Sequence, residues 1–107
     1  MSESIFKLLD LETVIQIKKL SPFKTLVKDT VIAYEGQIPN FAVMLNSGSI
    51  SLKSTEIHNF DKPVLIFYDQ IKNEDVAEDQ VSLHKGAEVS ILDRAILKEL
   101  LFLKVLT

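Results

Sequence analysis

The chain has 107 residues, 47% of them hydrophobic, a net charge of −3 and no cysteine. That length supports one domain with a modest core, that hydrophobicity argues against intrinsic disorder, and the absence of thiols excludes a disulfide framework and a thiol nucleophile. No apolar run nears the roughly 18–20 residues that a membrane-spanning helix needs, and the N-terminus lacks a basic stretch followed by a long apolar one, so a cytoplasmic protein without a signal peptide is expected.

In chain order, Ile5, Leu8, Leu9, Leu11, Val14, Ile15 and Ile17 fall at helical spacing, with Lys18 and Lys19 where a helix dipole favours positive charge. The spacing predicts a helix over about 4–20, with Asp10 able to break it and cap a second segment. Pro22 ends it. Residues 23–27 alternate as a first strand, Lys28-Asp29 turns, and Val31, Ile32 and Tyr34 form a second strand ending in the Glu35-Gly36 turn. The apolar run 41–45 predicts a buried strand, Asn46-Ser47-Gly48 a turn, and 49–53 a half-exposed partner strand. A polar loop with Asn59 and Asp61 leads to a buried strand over 63–68. Residues 69–80 read as an acidic loop or helical turn, 81–83 and 87–92 as strands around Lys85-Gly86, and Asp93 as the cap of a last helix over about 93–106. The expected turn glycines are therefore Gly36, Gly48 and Gly86.

Two of these punctuation marks carry a resemblance through their spacing. Val31-Ile32 leading to Glu35-Gly36, then Ala42-Val43-Met44-Leu45-Asn46-Ser47-Gly48, resembles the front half of the cyclic-nucleotide-binding domain of catabolite-activator-type sensors and kinase regulatory subunits. Val89-Ser90-Ile91-Leu92-Asp93-Arg94 is similar to that family's late strand-to-helix junction, and Leu20-Ser21-Pro22-Phe23 to its exit from the N-terminal helices. The resemblance implies one mainly β domain over 1–107: a cyclic-nucleotide-binding-like β-roll (double-stranded jelly roll) over about 22–92, with N-terminal and C-terminal helices.

The family holds the cyclic phosphate in a cassette, a short helix between two late strands that offers backbone N–H groups, an arginine, and a Gly-Glu pair reaching the ribose. A buried anion needs such a bidentate cation and free amide donors. The corresponding stretch here, 68–81, has no glycine and no arginine, and the chain's only arginine is Arg94. Asp69, Glu74, Asp75, Glu78 and Asp79 face only Lys72. A unit charge pair at 4 Å interacts by roughly 4 kcal/mol at an effective dielectric near 20, so these acids would repel a phosphate. The expectation is a degenerate cassette, with cyclic nucleotide an unlikely ligand and no cofactor.

Other chemistry is sparse. His58 and His84 are the only histidines; His84 with Glu88 supplies two ligands where a closed metal site takes four, and both histidines are expected at the surface or on hairpins. Ser47, Ser49 and Ser51 lie in no nucleophile elbow, so no enzyme is expected. Glu74, Asp75, Glu78 and Asp79 lack the alternate acids and central glycine of a calcium loop; they form a solvated acidic loop or dock a basic partner. Residues 1–53 carry +1 and 54–107 carry −4, without a lysine stripe, which disfavours nucleic acid as a partner, and no membrane partner is expected. No helix-turn-helix segment follows the last helix, so direct DNA reading is not expected either.

That last helix is apolar on most sides. Either it is clamped between the roll and the N-terminal helix, or Ile96, Leu100, Phe102, Leu103 and Leu106 form a subunit interface, as the resemblance to dimeric regulators implies. The reading is a non-catalytic protein-interaction or scaffold module, as a homodimer or docked to a protein partner. The alternative is a small-molecule sensor with an altered ligand, against which an interior filled by Phe41, Met44, Phe67 and Tyr68 would count.

Overall fold

The computed structural model describes residues 5–53 and 56–102. It is mainly β, with eight strands and three short helices: β1 (Phe6–Leu8), α1 (Leu11–Leu20), β2 (Lys24–Thr25), β3 (Thr30–Ala33), β4 (Ala42–Leu52), β5 (Glu56–Phe60), β6 (Val64–Ile66), α2 (Tyr68–Asn73), β7 (Val81–Leu83), β8 (Glu88–Leu92) and α3 (Arg94–Phe102). Every strand pair is antiparallel.

One long strand organises both leaves of the sheet. The first half of β4 pairs with β6 on one side, Val43 opposite Ile66, and with β8 on the other, Ala42 opposite Leu92. Its second half pairs with β5, Gly48 opposite Phe60, and with β7, Ile50 opposite Leu83. β1 and β2 extend the first leaf through β6 and β8, and β3 extends the second through β7. A strand that serves both faces of a core reads as a continuous apolar run, and Ala42, Val43, Met44 and Leu45 are all fully buried.

This corrects the turn expected at Asn46-Ser47-Gly48, because β4 runs through it. The register against β8 slips between Leu45 and Ser47, a bulge that re-aims the strand from one leaf to the other. Asn46 Nδ2 and Ser47 Oγ donate to Glu88 Oε1 at 3.4 and 3.2 Å across the slip. Gly48 takes φ +126°, and a Cβ there would lie 2.8 Å from the Ala87 Cβ. Close approach and positive φ, rather than a hairpin, require this glycine. Gly36 (φ +82°) and Gly86 (φ +90°) do occupy turns.

Two further boundaries differ from expectation. The predicted helix over 4–20 begins only at Leu11, because Asp10 is an N-cap whose carboxylate accepts from the Thr13 N–H at 2.8 Å. Before it, β1 pairs Phe6 with Ile66 and Leu8 with Val64, so sheet pairing overrides helical spacing. The polar loop expected around Asn59 contains β5, an edge strand whose Asn59 Oδ1 accepts a hydrogen bond from Ser49 Oγ of β4.

Helices α1 and α3 pack together against the sheet. The C-terminal end of α1 is stitched to β8: Ser21 Oγ donates to the Ile91 carbonyl at 2.8 Å and Ser90 Oγ to the Ser21 carbonyl at 2.6 Å. The buried Ser90 hydroxyl thereby keeps the partner that burial demands. Asp93 caps α3 as expected, its Oδ1 accepting from the Ile96 N–H at 2.9 Å. Leu97 and Leu100 of α3 enter the same core as Val14 and Ile17 of α1. No helix among the described residues is long and apolar enough to cross a membrane.

Candidate functional site

The segment between β6 and β7 is where the family resemblance implies a cassette, and its geometry bears on what it can hold. After Ile66 the chain turns through left-handed backbone at Phe67 (φ +73°) into α2. A bulky side chain at positive φ is strained by about 1–3 kcal/mol. Here the packing supports it: Phe67 and Tyr68 are buried, as are Met44 on β4 and Ile71 one turn on. Phe67 is also pinned by its backbone, its N–H donating to the Ile5 carbonyl at 3.0 Å and its carbonyl accepting from the Ile71 N–H at 3.1 Å.

α2 is capped at its C-terminal end by Glu74, again left-handed (φ +55°), whose N–H donates to the Gln70 and Ile71 carbonyls. Burial raises the Tyr68 phenol above its usual pKa, and the neighbouring Asp69 carboxylate adds to the effect. The ammonium groups of Lys7 and Lys72 stand 5.7 and 6.0 Å from the Tyr68 ring centroid, so Lys72 is placed against a ring. The Gln70 side chain is buried, and its Oε1 is the one buried side-chain polar atom without a hydrogen-bond partner among the described residues.

The acidic loop that follows is latched to the β3–β4 connection. The Ala77 N–H donates to the Gln37 carbonyl and the Gly36 N–H to the Ala77 carbonyl, both at 2.8 Å. Ala77 itself is buried, whereas Glu74, Asp75 and Glu78 are exposed. Asp79 is paired with Lys53 at 3.8 Å. The four acids are therefore not equivalent: three have no ion pair among the described residues and one has a lysine partner. Arg94 sits exposed at the start of α3, after β8, and not on this segment.

The remaining expected positions disperse. His84 Nε2 is hydrogen-bonded to Ser51 Oγ, while Glu88 accepts from Asn46 and Ser47, so the His84–Glu88 clamp is not assembled. His58 meets Glu56 at 3.1 Å and packs with Phe6 and Phe60, ring centroids 5.5 and 6.4 Å away. Among the described residues no group of three His, Cys, Asp or Glu is placed to hold a metal ion. Of the helix positions, Leu100 is fully buried in the chain's own core and Ile96 is half-buried. Phe102 is the last residue of α3, and Leu103 and Leu106 lie outside the described residues.

Sequence reasoning missed the latch between the two loops and the Ser51–His84 bond. A turn ending in Gly36 and the apolar pair Val76-Ala77 in an acidic stretch were visible signals, but nothing local joins them.

No protein-family profile matches the chain, and no curated protein matches it. Among solved structures, a chain reported under "A cyclic-GMP-dependent signalling pathway regulates bacterial phytopathogenesis" is similar, with a TM-score of 0.72 and 9% identity over 89% of this chain and 80% of that one. At that identity the likeness is one of fold.

Proposed function

We propose that this chain is a non-catalytic protein-interaction or scaffold module on a cyclic-nucleotide-binding-like roll that does not hold a cyclic nucleotide. The observation that carries the reading is the segment between β6 and β7. The left-handed position that a glycine would occupy without strain is Phe67, and both it and Tyr68 are turned to filling the interior beside Met44. The segment's one cation, Lys72, lies against the Tyr68 ring, and the loop beyond presents Glu74, Asp75 and Glu78. An anion would meet carboxylates in place of a guanidinium. The similar solved structure comes from work on a cyclic-GMP-dependent pathway, which supports a regulatory setting for the module.

The module works by binding another protein surface, as a homodimer or as an adaptor, with the half-buried Ile96 side of α3 as one contact. Light-scattering mass over a range of concentrations tests it. A mass near twice 12.1 kDa is expected for the homodimer. A strict monomer that saturably binds cyclic AMP or cyclic GMP overturns the reading.

One observation favours a second reading, a sensor with an altered ligand: the orphaned, buried Gln70 Oε1 would accept a hydrogen bond from an uncharged or cationic molecule. Gln70→Leu separates the two. It leaves stability equal or raised if the atom has no ligand, and it abolishes a ligand-induced stabilisation if it has one.

A further inference from the structure

The geometry points to a docking surface at the crest formed by the β3–β4 connection and the loop after α2, built to take a lysine- and arginine-rich segment of another protein that carries an apolar anchor. This rests on the interaction reading above and names the partner's chemistry.

Three large apolar side chains are exposed at this crest: Tyr34 at 59%, Ile38 at 40% and Val76 at 49%. They come from stretches some forty residues apart that the backbone holds side by side. Ala77 bonds to both Gly36 and Gln37, which sets Val76 beside the turn that carries Ile38. The turn is braced within itself: the Gln37 N–H donates to the Tyr34 carbonyl at 3.1 Å, and the Tyr34 N–H donates to Gln37 Oε1 at 3.0 Å. Pro39 and Ala77 are buried and anchor the two loops, so the apolar groups are offered from a fixed base. A preformed surface of this kind loses little freedom on binding.

Charge selects the occupant. Glu35 lies next to Tyr34, Glu74 and Asp75 precede Val76, and Glu78 follows Ala77. All four carboxylates are exposed and none has an ion pair among the described residues. No lysine or arginine occurs within 34–40 or 73–80. An apolar centre with an acidic rim repels nucleic acid and anionic lipid. It also repels a second copy of this chain, whose net charge is −3. Basic residues flanking an apolar or aromatic side chain answer both features, the anchor filling the Tyr34–Ile38–Val76 patch and the cations meeting the rim.

The test titrates the isotope-labelled full chain with a synthetic lysine- and arginine-rich peptide bearing a central tryptophan, followed by amide chemical shifts. Shifts concentrated in 34–39 and 74–79 are expected. Val76→Ser and Ile38→Ser should each weaken binding several-fold, and Glu74→Lys with Glu78→Lys about tenfold or more, with a steep loss in added salt. Equal binding by a peptide with glutamates in place of its lysines and arginines, equal binding without the tryptophan, or shifts centred elsewhere overturns the inference. A dimeric mass with no peptide binding here removes this surface and leaves the interaction reading standing. Saturable cyclic-nucleotide binding by a monomer, with no peptide binding, removes both.

Discussion

Gly48 in β4 and Phe67 ahead of α2 place the same unusual demand on the backbone, a positive φ, and meet it with opposite residues. At Gly48 the constraint is outside the residue: a Cβ would lie 2.9 Å from the Ala87 Cα, so only glycine lets β8 approach the bulge. At Phe67 the side chain is itself the reason for the residue, because it fills the core. One site is specified by what must be absent, the other by what must be present. The second choice bears on function, since an aromatic ring occupies the start of the segment where the family resemblance leads one to expect a ligand.

Mutation sharpens this contrast. The largest effect is expected for Phe67→Ala, a loss of about 3–5 kcal/mol on truncating a buried phenylalanine, read from urea denaturation. Phe67→Gly should lose less than Phe67→Ala, because relief of the left-handed strain returns about 1 kcal/mol. A larger loss for glycine would break the account of that position. Gly48→Ala comes next, at about 1–3 kcal/mol from overpacking and strain together. Combining it with Ala87→Gly should recover only the part due to the Ala87 methyl and leave the clash with the Ala87 Cα and the left-handed backbone, a coupling that a double-mutant cycle measures.

A pH effect follows from Tyr68. Burial raises its folded-state pKa above that of the unfolded chain. Above about pH 10 the unfolded state therefore loses the phenolic proton first. Stability should fall as pH rises from there until the folded state ionises too. Alkaline titration of the unfolding free energy measures this, and Tyr68→Phe should flatten it. Asp10 works at the other end: its bonds to Thr13 hold its carboxyl below 3.8, so the contribution of the cap is present above that pH and lost as pH falls below it. The smallest stability effect is expected for Glu74→Lys and Glu78→Lys, within about 0.5 kcal/mol, because both side chains are exposed and unpaired among the described residues.

Much of the fold was legible where local chemistry and tertiary role agree. Val81–Leu83, Glu88–Leu92, the Asp93 cap and the Gly36 and Gly86 turns are written in short-range pattern. The sequence misled where a local signal serves a distant purpose. Asn46-Ser47-Gly48 has the composition of a turn, and only the approach of Ala87, some forty residues later, makes its glycine a packing residue. Phe6–Leu8 satisfies helical spacing, yet β6 offers it an open sheet edge. Glu56–Phe60 is polar because it lies at an edge, where half its groups face water. At the candidate site the acidic character was plain in the sequence. The contact of Asp79 with Lys53 and the pairing of the two loops through Ala77 were not, since both join residues far apart in the chain.

Thermal unfolding with and without cyclic GMP, at millimolar nucleotide, tests the central claim most directly. A ligand at 100 times its dissociation constant stabilises a fold by about 2.7 kcal/mol, on the order of 10 °C or more for a domain of this size. The account predicts an unchanged midpoint, because the proposed reading has carboxylates and a buried Phe67-Tyr68 pair in place of the cation and open amides that a phosphate needs. A rise of that size would contradict it and make the protein a nucleotide sensor.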